Sequence, residues 1–444
     1  MRIRLETIGC RLNISEIETW ARLLSAAGHR LSVPGDPADL VIFNTCAVTA
    51  DAARTSRQLA RQLQRAHPGA PLVVTGCFAT LDPHRAADLG AALVVSNAEK
   101  DRLLDLLAEA GLLHPADPLP EPDQPPQPAS RTRAFVKVQD GCDNHCTFCI
   151  VTVARGVGRS RPLSEIIAEI NTLVVGGYNE AVLTGVHLGS YGRGLDQPHG
   201  LADLVRAILT DTDLPRLRLS SLEPWDLDEH FFELWSRSPR LLPHLHLPLQ
   251  SGDDTILRRM ARRTTRADFA QLVAHARAAI PDLAISTDII VGFPGETDAQ
   301  FQNTLNYVRE LAFSRLHIFR YSARTGTAAA SFPGQLSKAL ITERVRQMHI
   351  LGAELEHAFL AAHIGRTLPV LWEHAEPFGT GQRWSGLTPN YLRVLLETPP
   401  AINLHNQVTA VDIRAVLPGA LLASDPTQPP PAPRLDLRLT SAAE

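Results

Sequence analysis

The chain has 444 residues, enough for two or three domains, and its 44% apolar and 20% charged residues exclude a disordered or fibrous chain. A formal net charge of −4 excludes recruitment of nucleic acid by bulk charge, so any phosphate contact must come from local patches, and these must be arginine because lysine occurs only at Lys100, Lys137 and Lys338. No charged-then-apolar leader opens the sequence, and no run of about 18 apolar residues occurs in it. The expectation is a cytoplasmic protein that makes no use of a membrane, with its six cysteines reduced.

In chain order, residues 1–113 alternate short apolar runs with helical patterns. "RIRLETIGC", "DLVIFNTC" and "PLVVTGC" each read as a strand ending in a cysteine, and helical patterns follow at Ser15–Ala27 and Asp51–Ala66. Such spacing fits βαβ units of a parallel sheet, in which ligands bind beyond the carboxyl ends of the strands. Cys10, Cys46 and Cys77 all fall at those ends. A Pro-rich linker is expected over 114–130. Residues 131–364 carry six strand patterns, "AFVKVQD", "EAVLTGV", "RLRLSSL", "HLHLPLQ", "AISTDIIVGF" and "RLHIFRYS", each followed by helix. Six such units predict a partial, open (β/α)6 TIM-like barrel with its chemistry at the carboxyl rim, closed by a helix over Ser337–His363. Short β-like runs at 365–423, "TLPVLWE", "YLRVLLE", "NQVTAVDI" and "ALLA", predict a small β-barrel, and 424–444 reads as a disordered tail. The fold class is α/β, with a small β-barrel at the C-terminus.

The segment "QDGCDNHCTFCI" places Cys142, Cys146 and Cys149 in C-x3-C-x2-C spacing, after the first barrel strand. A closed structural zinc site wants four ligands, and a fully protein-ligated iron–sulfur cube wants four cysteines. Three thiolates on a four-iron cube leave one iron open to a small molecule. Two blander readings compete. "CTFC" alone is a thioredoxin-type redox spacing, but it lacks a thioredoxin-like βαβ context. A zinc knuckle needs a fourth ligand that His145 could supply. A lone cysteine is more often a small buried hydrophobe than a ligand, yet three at consecutive strand ends suggest a second cluster with an open iron. A framework of three disulfides suits small secreted chains rather than this one.

The C-x3-C-x2-C spacing resembles the radical S-adenosylmethionine superfamily. Together, "TIGCRLNISEIE", "NTCAVT", "TGC", "QDGCDNHCTFCIVTVARGVGRSR", "LSSLEP", "HLPLQSG" and "DIIVGFPGET" resemble its methylthiotransferase family over nearly the whole chain outside the linker and tail. "EAVLTGVHLGSYG" looks most like the branch acting on N6-threonylcarbamoyladenosine of tRNA. That resemblance implies a cluster-binding N-terminal domain, a radical domain and a C-terminal TRAM-like barrel. It implies two [4Fe-4S] clusters, one on Cys142, Cys146 and Cys149 and one on Cys10, Cys46 and Cys77, with S-adenosyl-L-methionine serving both as radical source and as methyl donor. It places Phe148 near the adenine of that cofactor, and Thr184, Gly185, Ser220, Glu223, Gln250 and Asp288 among the cofactor-holding positions at strand ends. The partners implied are the tRNA anticodon stem-loop, a reduced flavodoxin or ferredoxin as electron donor, and a sulfur donor. The neighbouring branches act on isopentenyladenosine or on a ribosomal-protein aspartate. Two rival readings remain: a cobalamin-dependent radical methylase, whose D-x-H-x-x-G motif is only approached by "DPHRAA", and a non-catalytic iron–sulfur electron carrier.

For RNA phosphate, "ARGVGRSR" offers Arg155, Arg159 and Arg161. "RRMARRTTR" is expected to be helical, with Arg258, Arg259, Arg262, Arg263 and Arg266 forming one basic face. In the C-terminal region Trp372, Trp384 and Tyr391 are candidates either for base stacking or for a small core.

Overall fold

The structure, a computed structural model, describes residues 1–114, 132–196 and 200–424. The expected Pro-rich linker beyond His114 and the expected tail beyond Ser424 lie outside the described residues. The chain divides into two compact units, Met1–Glu356 and His357–Glu444.

Within the first unit, strands β1 (Arg2–Thr7), β2 (Arg30–Leu31), β3 (Leu40–Thr45), β4 (Leu72–Gly76) and β5 (Leu93–Val95) form a parallel sheet in the order β2-β1-β3-β4-β5. The central strands β3 and β4 are buried throughout, which is why "LVIFNT" and "LVVTG" read as continuous runs rather than alternating ones. Helices α1 (Arg11–Ala26), α2 (Ala50–Ala66), α3 (Cys77–Leu81), α4 (Pro83–Ala87) and α5 (Leu103–Glu109) connect and cover them. "DPHRAA" is the N-cap and whole length of α4, with Asp82 accepting from Arg85 N.

The barrel begins with β6 (Arg133–Lys137), then a two-residue ribbon of β7 (Gln139–Asp140) and β8 (Arg159–Ser160) that brackets the cysteine loop and α6 (Val151–Arg155). It continues through α7 (Leu163–Val175), β9 (Glu180–Thr184), α8 (Leu201–Asp211), β10 (Arg216–Leu219), α9 (Glu229–Phe232), α10 (Leu234–Arg237), β11 (His244–His246), α11 (Asp254–Arg259), α12 (Arg266–Ala279), β12 (Ala284–Val291), α13 (Asp298–Leu311), β13 (Arg315–Arg320) and α14 (Lys338–Ala361). The sheets β6-β9-β10 and β11-β12-β13 join through parallel bridges between Leu217 and Leu241 and between Ser221 and His246. Six parallel strands therefore run in sequence order as an open barrel, with β6 and β13 unpaired to each other among the described residues. Its outer core is one cluster of Val, Ile, Leu and Phe from strands and helices, including Val136, Leu183, Leu217, Phe269 and Phe313.

The second unit is a closed barrel of β14 (Thr367–Phe378), β15 (Gly381–Leu387), β16 (Arg393–Thr398), β17 (Val408–Leu417) and β18 (Ala420–Ser424) in the order β14-β15-β16-β18-β17. Strand β15, "GQRWSGL", is not among the runs expected from the sequence, because its two glycines and polar residues mask the alternation. Trp372 and Trp384 fill this barrel's core, with their indole N–H groups donating to Thr409 Oγ1 at 2.7 Å and Ile402 O at 3.3 Å. For these two side chains core packing is therefore the observed role.

The expected basic helix over Arg258–Arg266 does not form. α11 ends at Arg259, Ala261 takes a left-handed φ of 55°, Ala261 N donates to Arg258 O at 3.0 Å and Arg262 N to Leu257 O at 2.9 Å. This is a Schellman closure made without glycine. It rotates Arg262 off the surface and into the barrel rim.

Candidate active site

The Cys142–Cys149 loop is clamped by its neighbours through bonds to backbone carbonyls. Thr147 N donates to Met260 O at 3.1 Å, Thr147 Oγ1 to Arg259 O at 2.9 Å, Ala329 N to Thr147 O at 2.9 Å and Cys142 N to Gly156 O at 3.0 Å. The closure after α11 thus supplies carbonyls that shape the loop. Backbone and side-chain N–H groups reach the sulfurs: Cys142 accepts from Asn144 N at 3.4 Å, Cys149 from Val151 N at 3.4 Å, and Cys146 from Arg262 Nη1 at 3.8 Å. Burial pushes the Cys149 thiol up to about 12 and raises Cys146 as well. Half-buried sulfurs that accept N–H donors suit thiolates held by iron, because hydrogen bonds to sulfur stabilise the anionic form and tune the cluster.

Arg262 is buried and makes two bonds to Glu223, Nη2–Oε2 at 2.6 Å and Nη1–Oε1 at 3.1 Å, and a third to Pro248 O at 2.6 Å. Its guanidinium lies 4.5 Å from the Trp225 ring centroid. On the other side of the loop His187 Nε2 lies 2.5 Å from Asp226 Oδ2, and Gly189 makes room for this pair, since a Cβ there would come within 2.5 Å of Asp226. Burial would lower the His187 imidazole, but its hydrogen bonds to Asp226 and Cys142 raise it to about 9. Gln139 orders this corner: its Oε1 accepts from His187 N at 2.9 Å, and its Nε2 donates to Gly141 O at 2.8 Å.

The other expected cofactor positions fall at strand ends of the same rim. Ser220 follows β10, and its Oγ is buried without a hydrogen-bond partner, as are Trp225 Nε1 and Arg262 Nε. Orphaned polar atoms at one rim are what a polar ligand would satisfy. Gln250 is buried and holds a left-handed φ of 75°, with its backbone bridging Asp288 O at 2.8 Å and Ile290 N at 3.0 Å. Asp288 Oδ1 lies 3.1 Å from His246 Nε2. Thr184 is buried, and its carbonyl accepts from Val138 N at 3.0 Å. At Gly185 a Cβ would meet Gln139 Oε1 at 3.0 Å, so this glycine serves the packing of Gln139. Phe148 packs beside Met260, Ile290 and Phe293. In "GFPGET", Glu296 is buried against Arg344 Nη1 at 2.7 Å, which ties the stretch to α14.

Cys10, Cys46 and Cys77 lie at the carboxyl ends of β1, β3 and β4, close enough that Cys10 and Cys77 both bear on the Cys46 thiol, which burial pushes up to about 11. Cys10 is exposed at the N-terminus of α1 and its Sγ lies 3.7 Å from Asn13 Oδ1. Gly9, at φ 111°, passes so close to Cys46 that a Cβ would come within 2.6 Å of it. Cys77 Sγ accepts from Asn97 Nδ2 at 3.6 Å. Among the described residues, no group of His, Cys, Asp and Glu surrounds one point closely enough to ligate a single metal ion. A cube takes each thiolate on a different iron and so wants a wider trio.

A buried charged network joins the two trios. Arg155 donates from Nη2 to Asn13 Oδ1 at 2.8 Å and from Nη1 to Asp140 Oδ1 at 2.9 Å and Glu16 Oε1 at 3.1 Å. Lys100 Nζ bonds Glu16 Oε2 at 2.6 Å, and Asn97 Nδ2 donates to Ala154 O at 2.6 Å. Burial would raise the Glu16 carboxyl, but Lys100, Arg155 and Lys137 outweigh it and hold it well below the usual range. The arginines expected to meet phosphate therefore divide. Arg155 and Arg262 are internal, and Arg161 binds Glu169 at 2.7 Å. Arg259 stacks near Phe293 and Arg266 near Tyr307, while Arg159, Arg258 and Arg263 stay exposed. The sequence points to the loops carrying His187 and Arg262 without revealing their roles, and it does not single out Asp226, Gln139, Asn97 or Asn13. Their signal is three-dimensional: each is polar and bonded to a residue distant in sequence, and Gln139, Asn97 and Asn13 are buried as well.

An open six-stranded parallel barrel with a three-thiol loop at its rim, preceded by a parallel α/β domain with its own three thiols, defines the class. Residues 136–308 match the family model described as "Radical SAM superfamily", and residues 2–96 match "Uncharacterized protein family UPF0004". The chain is 38% identical over 378 residues to the threonylcarbamoyladenosine tRNA methylthiotransferase MtaB of Thermotoga maritima, covering 84% of this chain and 86% of that one. It is 35% identical to the protein of that name from Bacillus subtilis, covering 89% and 90%. It is 38% identical to the tRNA-2-methylthio-N(6)-dimethylallyladenosine synthase of Frankia casuarinae, covering 84% and 71%. Among solved structures, the radical S-adenosylmethionine methyltransferase TsrM from Kitasatospora setae, with cobalamin and a [4Fe-4S] cluster bound, aligns with a TM-score of 0.53 at 16% identity, over 72% of this chain and 74% of that one. That likeness is one of fold. The chain belongs to the radical S-adenosylmethionine tRNA methylthiotransferases, enzymes that use S-adenosylmethionine and a [4Fe-4S] cluster. Among the described residues, no helix is long and apolar enough to cross a membrane.

Proposed function

We propose that this enzyme places a methylthio group on C2 of N6-threonylcarbamoyladenosine beside the anticodon of tRNA, using two [4Fe-4S] clusters. The observation that carries the reading is the pair of thiol trios in one compact unit, joined by Arg155. The substrate is supported by relatives named for it at 35–38% identity over most of the chain. Dimethylallyladenosine is the second candidate, since relatives named for it match at comparable identity.

The C2–H of adenine is not acidic enough for a side-chain base to remove at neutral pH. When bound, the clusters and S-adenosylmethionine supply a radical that takes this hydrogen and a sulfur that replaces it. The chain's own residues hold, orient and exclude water. Cys142, Cys146 and Cys149 hold the first cluster, and Cys10, Cys46 and Cys77 the second. Ser220 and Glu223, the latter fixed by Arg262, offer polar contacts to S-adenosylmethionine, with Gln250, Asp288 and the backbone at Thr184 and Gly185 completing the rim and Phe148 backing it. On this reading residues 1–113 present the sulfur, 131–364 run the radical step and 365–423 assist RNA binding. The enzyme works in the cytoplasm, supplied by a reduced flavodoxin or ferredoxin and by a separate sulfur donor.

The test combines iron content with nucleoside mass spectrometry. Anaerobically reconstituted protein should hold about eight irons, as two cubes require. Cys146→Ala should abolish 5′-deoxyadenosine formation. Cys46→Ala should spare that cleavage yet stop formation of the 2-methylthio nucleoside. About four irons in the intact protein, or methylthiolation surviving both substitutions, would overturn the proposal.

A further inference from the structure

We propose that the outer face of α2 is an RNA-backbone-binding surface, on which Arg54, Arg57, Arg61 and Arg65 track phosphates of the tRNA being modified. This rests on the reading of the site given above and names the surface that holds its RNA.

In α2, "ADAARTSRQLARQLQRA", the residues Ala53, Ser56, Ala60 and Leu63 are buried, three of them in the apolar cluster beside β3 and β4. At 3.6 residues per turn the four arginines fall on the opposite face, within an arc of about 80° and over a rise of about 17 Å. Arg54, Arg61 and Arg65 are exposed, and the Arg57 guanidinium lies 5.9 Å from the Phe78 ring centroid. The helix holds one acid, Asp51, which pairs with Arg54 at 2.7 Å. Among the described residues no carboxylate pairs with Arg57, Arg61 or Arg65. The neighbouring α4 brings Asp82, paired with Arg85 at 3.3 Å, and Asp88 at its C-cap, on the flank where Gln64 Nε2 donates to Gly90 O at 3.2 Å. That flank sets one uncompensated acid against three uncompensated arginines.

A merely solvated helix face mixes its charges, as this chain does elsewhere: Arg206 pairs with Asp203 on α8 at 2.5 Å, and Arg346 with Glu343 on α14 at 2.7 Å. On α2 the pairs 57/61 and 61/65 instead set like charges four residues apart, which opposes the helix until a polyanion neutralises them. In a chain of net charge −4 such a stripe is a local exception. It also begins at the site. Ser56 Oγ donates to Cys46 O at 2.7 Å and accepts from Cys46 N at 3.1 Å, and Ala50 N donates to Ser322 Oγ at 3.3 Å, just past β13. From that rim the stripe runs back along the sheet, giving the strand that flanks a base held at the thiols a track to follow. An acidic protein carries its charges without a fixed repeat, whereas an RNA strand repeats them evenly. Successive arginines at rises of about 4.5–6 Å suit the even repeat, and each planar fork can grip a phosphate through two bonds.

The test measures binding of the reconstituted full chain to a fluorescent tRNA carrying N6-threonylcarbamoyladenosine, by anisotropy over a series of salt concentrations. The readout is the slope of log affinity against log salt, to which each phosphate contact contributes about 0.7–0.9. The triple variant Arg57→Gln, Arg61→Gln, Arg65→Gln should lower that slope by about 2 and weaken binding roughly tenfold or more at low salt. Lysine at the same three positions should keep most of the slope. Should the triple variant not fold, Arg61→Glu alone should lower the slope by about 1. An undiminished slope in the triple variant, or in Arg61→Glu where that variant is the readout, overturns the surface while the proposed function stands. So does an equal loss per charge in Arg206→Gln on α8, which would make the effect one of bulk charge. An unchanged slope for tRNA with binding of labelled poly-L-glutamate lost assigns the stripe to an acidic protein and also overturns the proposal. An intact enzyme that binds tRNA no more tightly than poly-L-glutamate and forms no methylthio nucleoside overturns the proposed function and the surface with it.

Discussion

Arg155 Nη2 donates to Asn13 Oδ1 across 2.8 Å, linking a residue six positions past the last cysteine of the barrel loop to one three positions past the first cysteine of the α/β domain. The same guanidinium bonds Glu16 and Asp140, all of them buried. Arg155→Ala leaves two carboxylates short of a partner, and removing one member of a buried charged set costs about 3–5 kcal/mol. Thermal denaturation should show that loss. Assays on the folded fraction should show 5′-deoxyadenosine still forming while the methylthio product falls more steeply.

Arg262 should govern how Glu223 meets S-adenosylmethionine. Arg262→Leu removes both bonds to Glu223, the stack on Trp225 and the N–H to Cys146 Sγ. Losing charge-assisted bonds of this kind costs about 1.5–3 kcal/mol, or roughly ten- to hundredfold in affinity. Equilibrium binding of S-adenosylmethionine to the reconstituted enzyme checks this. Unchanged affinity would mean that the arginine shapes only the loop.

Gly9→Ala tests the N-terminal trio without touching a thiol. The backbone there is left-handed, and the new methyl would come within 2.6 Å of Cys46 Cβ and 2.8 Å of its sulfur. Cys46 must move. Iron content should fall from about eight towards about four per chain, while the barrel cluster is retained.

Glu180 sits at the base of β9, held by Arg218 Nε at 2.8 Å and Arg216 Nε at 2.9 Å. Burial would raise its carboxyl, but the two arginines outweigh it and hold it at about 2, against an ordinary value of 4.5. A depressed folded value means stability present in full above the ordinary value and lost as pH falls from about 4.5 towards 2. The contribution is on the order of 3 kcal/mol. Glu180→Gln should therefore be less stable at pH 7 and should show a shallower acid decline. Denaturant midpoints at neutral and acid pH compare the two.

Much of the architecture is local information. "LVIFNT" and "LVVTG" read as strands of a doubly covered sheet because they are mostly apolar runs, with Asn44 buried through its bonds to Asn13, Glu16 and Lys100, and Cys46 and Cys77 follow their last residues directly. The Cys142–Cys149 spacing likewise fixes three sulfurs on one short loop whatever the rest of the chain does. What only the tertiary structure decided is where the charges go. "RRMARRTTR" has the period of a basic helix, yet an alanine in the left-handed region ends α11 and turns Arg262 inward. Arg155 reads as a phosphate ligand until Glu16, from 139 residues earlier in the chain, closes on it. Apolar periodicity is written along the chain because burial acts on each residue where it stands. An arginine's role depends on which carboxylate, ring or sulfur the fold delivers to it, and that partner can come from anywhere in the sequence.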